Sequence, residues 1–160
     1  MEVISNHNWA LTVGTFLPLV GVLIMLFIPK AEEALIKSVA IATAIATLAV
    51  GIYTMVQFDF GNAGAMQFVA EHDWISVIKS SYYIGIDGIS LPLYLLSMVI
   101  TVLVMIYSWD HVPSPGNPKA FFILMLILQT GMAGTFIARD LILFFVFFEL
   151  VLLPMYFMIG

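Results

Sequence analysis

Glu149 is the residue best placed to carry chemistry, because it is the only Asp, Glu, Lys or Arg in the apolar run at residues 141–160. In a helix, Glu149 would lie about 12 Å along the axis from the start of that run, deep inside the hydrocarbon of a membrane. An acidic side chain at that depth costs about 3 kcal/mol on insertion scales, and the surrounding Leu, Ile, Val and Phe residues offset this cost. The helix can therefore insert, and an acid inside a membrane is a functional candidate by default.

A carboxyl group inside a membrane can carry protons when two opposing effects are balanced. Burial raises the pKa of a carboxyl group, whereas a neighbouring cation lowers it. Arg139 lies about 15 Å from Glu149 along the axis, and the lysines lie at the ends of apolar segments or in loops. We therefore expect the partner of Glu149 to come from another helix, and Gln129, in the middle of the preceding apolar segment, is the best candidate within this chain. The alternative is a protonated Glu149 that holds the bundle together through a hydrogen bond.

Two further residues are supporting candidates. Pro154 removes the helical hydrogen bond to the carbonyl of Leu150 and can kink the helix, which would admit water beside Glu149. Simple accommodation of the proline by packing is the alternative. Asp87 precedes the third apolar segment, where it either caps a helix or serves a proton entrance.

Composition excludes several classes of function. Of the 160 residues, 62% are hydrophobic and only 9% are charged, whereas a soluble domain is about 25% charged. The formal net charge of -5 argues against binding to nucleic acid. The chain has no Cys, and His7, His72 and His111 lack the spacing of metal ligands, so we expect no metal site. No nucleotide-binding or zinc motif is present, and we expect no cofactor in this chain.

Five long apolar segments predict an all-α polytopic membrane bundle that forms a single membrane domain over residues 1–160. The predicted spanning helices are residues 9–28, 38–58, 89–109, 120–138 and 141–160. A signal peptide is the alternative for the first segment, but no Lys or Arg precedes it. Gly131 and Gly134 predict a close helix contact, and the alanines at 40, 42, 44 and 46 predict another.

The polar segment between the second and third helices has features of a surface β-hairpin. Residues 67–70 and 82–86 are short and rich in aromatic or β-branched side chains, and the turn-forming sequence at 61–64 precedes them. We expect two short strands at the membrane surface. Trp74 and the neighbouring tyrosines could equally serve as interface anchors.

The positive charges predict the orientation in the membrane. Lys30, Lys37 and Lys119 fall on one side of a five-helix bundle, and Lys79 and Arg139 fall on the other. By the positive-inside rule, the first group faces the cytoplasm and the N-terminus lies outside. Because the last residues are apolar, we also expect this chain to be a portion of a longer protein.

Two stretches resemble a known family. The sequence GIDGISLP at residues 85–92 resembles the segment leading into the third helix of the antiporter-like subunits of respiratory complex I. The sequence FFELVLLPMYFMIG at residues 147–160 resembles the glutamate helix of the M chain of bacterial NADH-quinone oxidoreductase. Residues 16–18 and 67–68 also fit this family, so the resemblance covers essentially the whole chain. Phe148 stands where many members have Trp.

The resemblance implies a proton-translocating subunit that couples NADH oxidation and quinone reduction to proton transport, with Glu149 as the proton-relay group. Members of this family have about fourteen helices with inverted repeats, and a lysine in a broken helix pairs with the glutamate. This chain would be the N-terminal portion and would lack that lysine. FMN, iron–sulfur clusters and quinone belong to partner subunits. The implied partners are other complex I membrane subunits and the lipid bilayer, in the bacterial inner (plasma) membrane.

Two other functions fit the same residues. A subunit of a multisubunit sodium/proton antiporter would use similar helices without redox partners. An inactive structural fragment would use Glu149 only as a hydrogen-bonding group.

Overall fold

The structure is a computed structural model that describes residues 3–4, 10–29, 31–58, 61, 66–75, 77, 80–109 and 118–159. In these residues the elements, in chain order, are β1 (Val3–Ile4), α1 (Ala10–Leu26), α2 (Glu33–Gln57), β2 (Met66–Ile75), β3 (Ser80–Ile86), α3 (Ser90–Tyr107), α4 (Pro118–Ile137) and α5 (Leu141–Ile159). The predicted five-helix membrane bundle is confirmed. Helices α2, α3 and α4 each have the length and hydropathy to cross a membrane, and α1 and α5 are shorter apolar helices.

The helix bounds agree with the predicted segments except at the start of α2. This helix begins at Glu33, before the predicted start at Ser38, so its first turns contain Glu33 and Lys37. This earlier start is compatible with the predicted span, because an absence of charge marks the part of a helix in hydrocarbon, whereas the helix itself continues into the polar interface. Trp9 and Gly160, at the outer limits of two predicted segments, lie outside the described residues.

Helix α4 is the centre of the bundle, because it contacts α1, α2, α3 and α5. Successive helices run in opposite directions, because the end of each helix and the start of the next contribute to the same buried cluster. The buried apolar residues form two clusters, one towards each end of the bundle. The hairpin-end cluster contains Ala10, Leu11, Phe58, Ile84, Ile86, Leu91, Tyr94, Met98, Ala133, Ile137, Leu143 and Phe147. The lysine-end cluster contains Val22, Met25, Ile36, Ala40, Ala44, Val102, Met105, Phe122, Met125 and Leu126.

The close contact predicted from Gly131 and Gly134 is confirmed between α4 and α5. A Cβ atom added to Gly131 would lie 2.9 Å from the backbone nitrogen of Val151. A Cβ atom added to Gly134 would overlap the ring of Phe147. The two backbones can approach this closely only because neither glycine carries a side chain.

The predicted hairpin is confirmed and is part of a three-stranded sheet. Strand β2 pairs in parallel with β1 and antiparallel with β3, and the β2–β3 register places Gln67 opposite Ile86 and Ala70 opposite Ile84. Ile84 and Ile86 are fully buried, so β3 packs against the ends of the helices. Tyr82 is half-buried, and the side chain of Trp74 lies outside the described part of the structure. The role of these residues as interface anchors stays a prediction.

Two lysines satisfy backbone carbonyls where helices end. The Nζ atom of Lys119 donates to the carbonyl of Ile28 at 2.8 Å and to that of Leu26 at 3.3 Å, beside the end of α1. The Nζ atom of Lys37 donates to the carbonyl of Trp109 at 2.5 Å, beyond the end of α3, and lies 5.7 Å from the centre of its ring. Cations at these positions complement the partial negative charge of a helix C-terminus.

The predicted division of charge holds for the residues described. Lys37 and Lys119 lie at the end of the bundle where α1 and α3 finish. Arg139 lies at the opposite end, beside β3, because its backbone nitrogen donates to the carbonyl of Tyr83. Lys30 and Lys79 lie outside the described residues, and the side that faces the cytoplasm stays a prediction.

The contact between α4 and α5 predicts that Gly131→Ala weakens the bundle. The new methyl group would meet the backbone of Val151, which cannot rotate away, and overpacking of this kind costs about 1–3 kcal/mol. Thermal unfolding of the full-length protein in detergent measures the loss.

Gly51→Ala is the matched control, because Gly51 is also a buried helical glycine and gains the same helix propensity. A Cβ atom there meets the side chain of Met98, which is flexible and can move. We expect Gly131→Ala to unfold at the lower temperature, and the reverse order would contradict the account of this contact.

Candidate functional site

Helix α5 contacts the rest of the chain through one stripe of residues. Leu143 and Phe147 are 3% and 2% exposed, Pro154 is buried, and Leu150 is half-buried. Their spacing of three and four residues places them on one face of the helix. The ring of Phe147 contacts Phe16 of α1, with 5.9 Å between ring centres. This stripe fixes the direction in which every other side chain of α5 points.

Glu149 lies away from this stripe and is exposed on the outer surface of α5. It lines an open groove of about 410 Å³ whose other walls are wholly apolar. Those walls are formed by Ile142, Phe145, Val146, Leu150 and Leu153. The helices of this chain therefore do not cover Glu149, and its predicted depth in the hydrocarbon of a membrane stays a prediction. The stripe through Phe147 forms the packing face of the helix. Glu149 is two residues away from Phe147, about 200° around the helix axis, so its side chain points away from that face.

Gln129 is not the partner of Glu149 in this structure. Its side chain is fully buried in α4, and neither its Oε1 nor its Nε2 atom has a hydrogen-bond partner among the described residues. The contact of Gly131 with Val151 places Gln129 within about one helical turn of the depth of Glu149, as predicted. The two side chains point in different directions, however, so equal depth does not produce a contact.

Pro154 does not end α5, which continues to Ile159. The proline is buried in the stripe that faces α4. This arrangement supports accommodation by packing, the simpler of the two interpretations of Pro154. Admission of water beside Glu149 stays a prediction.

Asp87 caps the beginning of α3, as one of its two interpretations predicted. Its Oδ1 atom accepts hydrogen bonds from the backbone nitrogens of Ile89 and Ser90 at 3.0 Å and 2.9 Å. The same oxygen accepts a hydrogen bond from the hydroxyl of Ser90 at 3.1 Å. These bonds satisfy backbone donors that a helix N-terminus leaves free. The role of Asp87 at a proton entrance stays a prediction.

Arg139 joins this cap to the turn between α4 and α5, a contact that the sequence interpretation did not include. One Nη atom of Arg139 lies 3.8 Å from the Oδ2 atom of Asp87 and donates to the hydroxyl of Ser90 at 3.1 Å. The Nε atom donates to the carbonyl of Gly85 at 3.2 Å. The only feature of the sequence that pointed to this contact is that the hairpin and the polar turn at residues 139–140 fall at the same end of the bundle.

The pKa of Asp87 lies below its usual value. Burial acts to raise the pKa, and the hydrogen bonds from Ser90 and Ile89 together with the charge of Arg139 outweigh it. The side chains of Arg139 and Asp87 are 25% and 23% exposed, so solvent screens their attraction only partly. Asp87 is therefore a charged group that holds β3, α3 and the α4–α5 turn together.

The side chains of the three histidines fall outside the part of the chain that the structure describes, so the expectation that they bind no metal stays a prediction. His7 and His111 lie outside the described residues, and for His72 only the backbone, in β2, is described.

The cap predicts a pH-dependent contribution of Asp87 to stability. Asp87→Ala should lower the free energy of unfolding by about 1 kcal/mol near neutral pH, the usual effect of losing such a cap. Because folding lowers the pKa of Asp87, this contribution is present above about pH 4 and is lost as the pH falls through the lower folded value. Thermal unfolding of the full-length protein at several pH values measures it.

Asp87→Asn is the control, because asparagine keeps an acceptor oxygen for the cap and loses only the charge that attracts Arg139. We expect its loss of stability to be smaller than that of Asp87→Ala. A gap between wild type and Asp87→Ala that is equally large on both sides of pH 4 would contradict the assignment.

Comparisons with known proteins identify the family to which the chain belongs. Residues 12–135, which run from α1 to α4, match the family described as NADH-ubiquinone oxidoreductase chain 4, amino terminus. The chain is 34% identical over 150 residues to NAD(P)H-quinone oxidoreductase chain 4-3 of Nostoc sp., covering 94% of this chain and 26% of that relative. It is 33% identical over 155 residues to NADH-quinone oxidoreductase subunit M of Rickettsia conorii, covering 94% and 31%.

A third relative is the F(420)H(2) dehydrogenase subunit M of Methanosarcina mazei, which is 34% identical over 116 residues, or 72% of this chain and 23% of the relative. The chain thus spans about a quarter to a third of the length of these relatives. The resemblance drawn from residues 85–92 and 147–160 is confirmed at the level of the family. On its sequence and its apolar helices, the chain is a multi-pass membrane protein that belongs to the NADH-ubiquinone oxidoreductase chain 4 family and matches its amino-terminal part.

Proposed function

We propose that this chain is the amino-terminal portion of a proton-translocating membrane subunit of an NADH-quinone oxidoreductase, in which Glu149 binds and releases the proton. The observation that carries the proposal is the position of Glu149. It is the only acid of α5, lies at the middle of that helix, and faces an apolar groove on the outside of the five-helix unit.

A carboxyl group in this groove needs a partner or a proton, because an unpaired carboxylate in hydrocarbon costs several kcal/mol. Among the described residues, none forms a hydrogen bond or an ion pair with Glu149. The family resemblance implies that a lysine in a later, broken helix supplies this cation. Movement of that cation towards or away from the groove would then change the proton affinity of Glu149.

The relatives favour a redox-linked function over a sodium/proton antiporter. Their names are those of quinone oxidoreductase chains and of an F(420)H(2) dehydrogenase subunit, which are redox assemblies. Because the named electron donors differ, the choice of donor belongs to other subunits. We propose that this chain performs no electron transfer itself, and that FMN, iron–sulfur clusters and quinone bind in partner subunits.

The proposed partners are the neighbouring membrane subunits of complex I and the lipid bilayer. Much of the surface of α5 is apolar and exposed, including Phe145, Leu153 and Phe157, which suits a helix that meets hydrocarbon or other helices. We place the protein in the bacterial inner membrane. The end with Lys37 and Lys119 then faces the cytoplasm, and the N-terminus lies outside.

The proposal predicts that Glu149→Gln abolishes proton transport by the assembled complex. Glutamine keeps the size and hydrogen-bonding capacity of the side chain but cannot release a proton. We expect NADH-driven proton pumping in membrane vesicles to fall by about a hundredfold or more, the lower end of what a proton-transfer group contributes. Quinone reduction should fall with it, because the two processes are coupled.

Leu153→Gln is the matched control, because Leu153 lines the same groove and the variant adds an amide without removing the carboxyl group. We expect it to keep most of the pumping activity, with assembly of each variant checked on a native gel. Normal pumping by an assembled Glu149→Gln complex would show that Glu149 has a purely structural role. Pumping that responds to sodium but not to NADH would favour the antiporter.

A further inference from the structure

The interior of the bundle contains a polar layer between its two apolar clusters. On α4, Ala133 belongs to the hairpin-end cluster and Leu126 to the lysine-end cluster, and Gln129 lies between them on the same face. On α1, Thr15 lies in the same way between Leu11 and Val22. Both polar side chains are fully buried. An apolar core would be expected to continue through this level.

Thr15 and Gln129 lie at similar depths in the bundle. Helices α1 and α4 are antiparallel, and the hydrogen bonds of Lys119 align it with Leu26 and Ile28 near the end of α1. Gln129 lies ten residues after Lys119 on α4. Counting ten residues back along α1 from Leu26 and Ile28 leads to the turn that follows Thr15. The two residues are therefore level to within about one helical turn, or 5 Å.

Tyr94 of α3 reaches the same place. Its side chain is fully buried, and its hydroxyl lies against Gly14, where an added Cβ atom would overlap it. The hydroxyl faces Thr15, but the geometry between the two groups does not complete a hydrogen bond. Three helices thus contribute a buried polar group at one level of the bundle.

These groups are unusual because no protein atom among the described residues satisfies them. The unpartnered atoms are the hydroxyls of Thr15, Tyr94 and Thr130 and both polar atoms of Gln129. Other buried hydroxyls avoid this cost by donating to their own helix, as Thr47, Thr54 and Thr101 do. A buried polar group without a partner loses the hydrogen bonds that it makes to water in the unfolded chain, so several such groups together need a common explanation.

We propose that Thr15, Tyr94 and Gln129 form an internal water-binding site in the middle of the bundle. Hydroxyl and carboxamide groups donate and accept hydrogen bonds, which is what a buried water molecule with two to four polar partners needs. None of the three groups is charged, so the site suits water rather than an ion. This proposal does not depend on the role of Glu149, which lies on the far side of the contact between Gly131 and Val151.

A pair of hydroxyl groups lies between this site and the hairpin end of the bundle. The hydroxyl of Tyr82 in β3 lies 2.9 Å from the hydroxyl of Thr12, one turn before Thr15 on α1. Tyr82 is half-buried and Thr12 is partly exposed, so this pair joins the surface to the interior. On this proposal, water enters the site from the end of the bundle that carries the hairpin.

Exchange of a thiol proton in heavy water tests the proposal, with water itself as the probe. In the full-length protein within its assembly, Thr15→Cys introduces a thiol whose S–H stretch appears in the infrared difference spectrum against wild type. The chain has no cysteine of its own. We expect the band to show hydrogen bonding and to exchange at least about tenfold faster than that of the control variant.

Val22→Cys is the control, because it is a change of similar size on the same face of α1, two turns away in the lysine-end cluster. Val22 is 8% exposed and Thr15 is 0% exposed, so simple exposure would favour faster exchange in the control. Equal exchange rates in the two variants, whether fast or slow, would overturn the proposal.

A second measurement needs no variant, and it tests the water site even if the Thr15→Cys protein does not assemble. A density map of the native assembly should show ordered water within hydrogen-bonding distance of the Gln129 carboxamide. A carboxamide that is paired only with protein atoms would overturn the proposal.

Discussion

A carboxyl group in the middle of a membrane-spanning helix must be protonated, paired or in contact with water, and the rest of this structure depends on how that requirement is met. Glu149 does not meet it inside the five-helix unit. Helix α5 rests on α4 through the stripe that includes Leu143 and Phe147, and this contact turns Glu149 outwards into an apolar groove. The direction of Glu149 is therefore set by Gly131 and Gly134, which let the two helices approach closely.

The same unit is held at both ends by charged groups that serve backbone atoms. At one end, Lys37 and Lys119 donate to carbonyls beside the ends of α3 and α1. At the other, Asp87 caps α3, and Arg139 links that cap to β3 and to the turn before α5. The position of these charged residues matters more than their number. Each of them forms hydrogen bonds with backbone groups that would have no such partner in the hydrocarbon of a membrane.

The helices were predictable because crossing hydrocarbon requires a minimum length and a high hydropathy in each segment. The hairpin was predictable because alternating aromatic and branched residues follow a turn. The direction of Glu149 was not, because it depends on which face of α5 packs, and α5 is apolar on all sides. The Arg139–Asp87 contact joins residues from distant segments, which no local pattern records. The burial of Gln129 without a hydrogen-bond partner was equally unpredictable, because the sequence indicates its depth in the helix but not the direction of its side chain.

The protonation state of Glu149 in the full-length, assembled protein tests the central claim most directly. Infrared difference spectra between the resting and the NADH-reduced complex report the carbonyl stretch of protonated carboxyl groups, and Glu149→Gln identifies the band of this residue. We predict a Glu149 band that changes between the two states and is missing from the variant. A Glu149 carboxyl group that keeps one protonation state throughout turnover would contradict its role as the proton carrier.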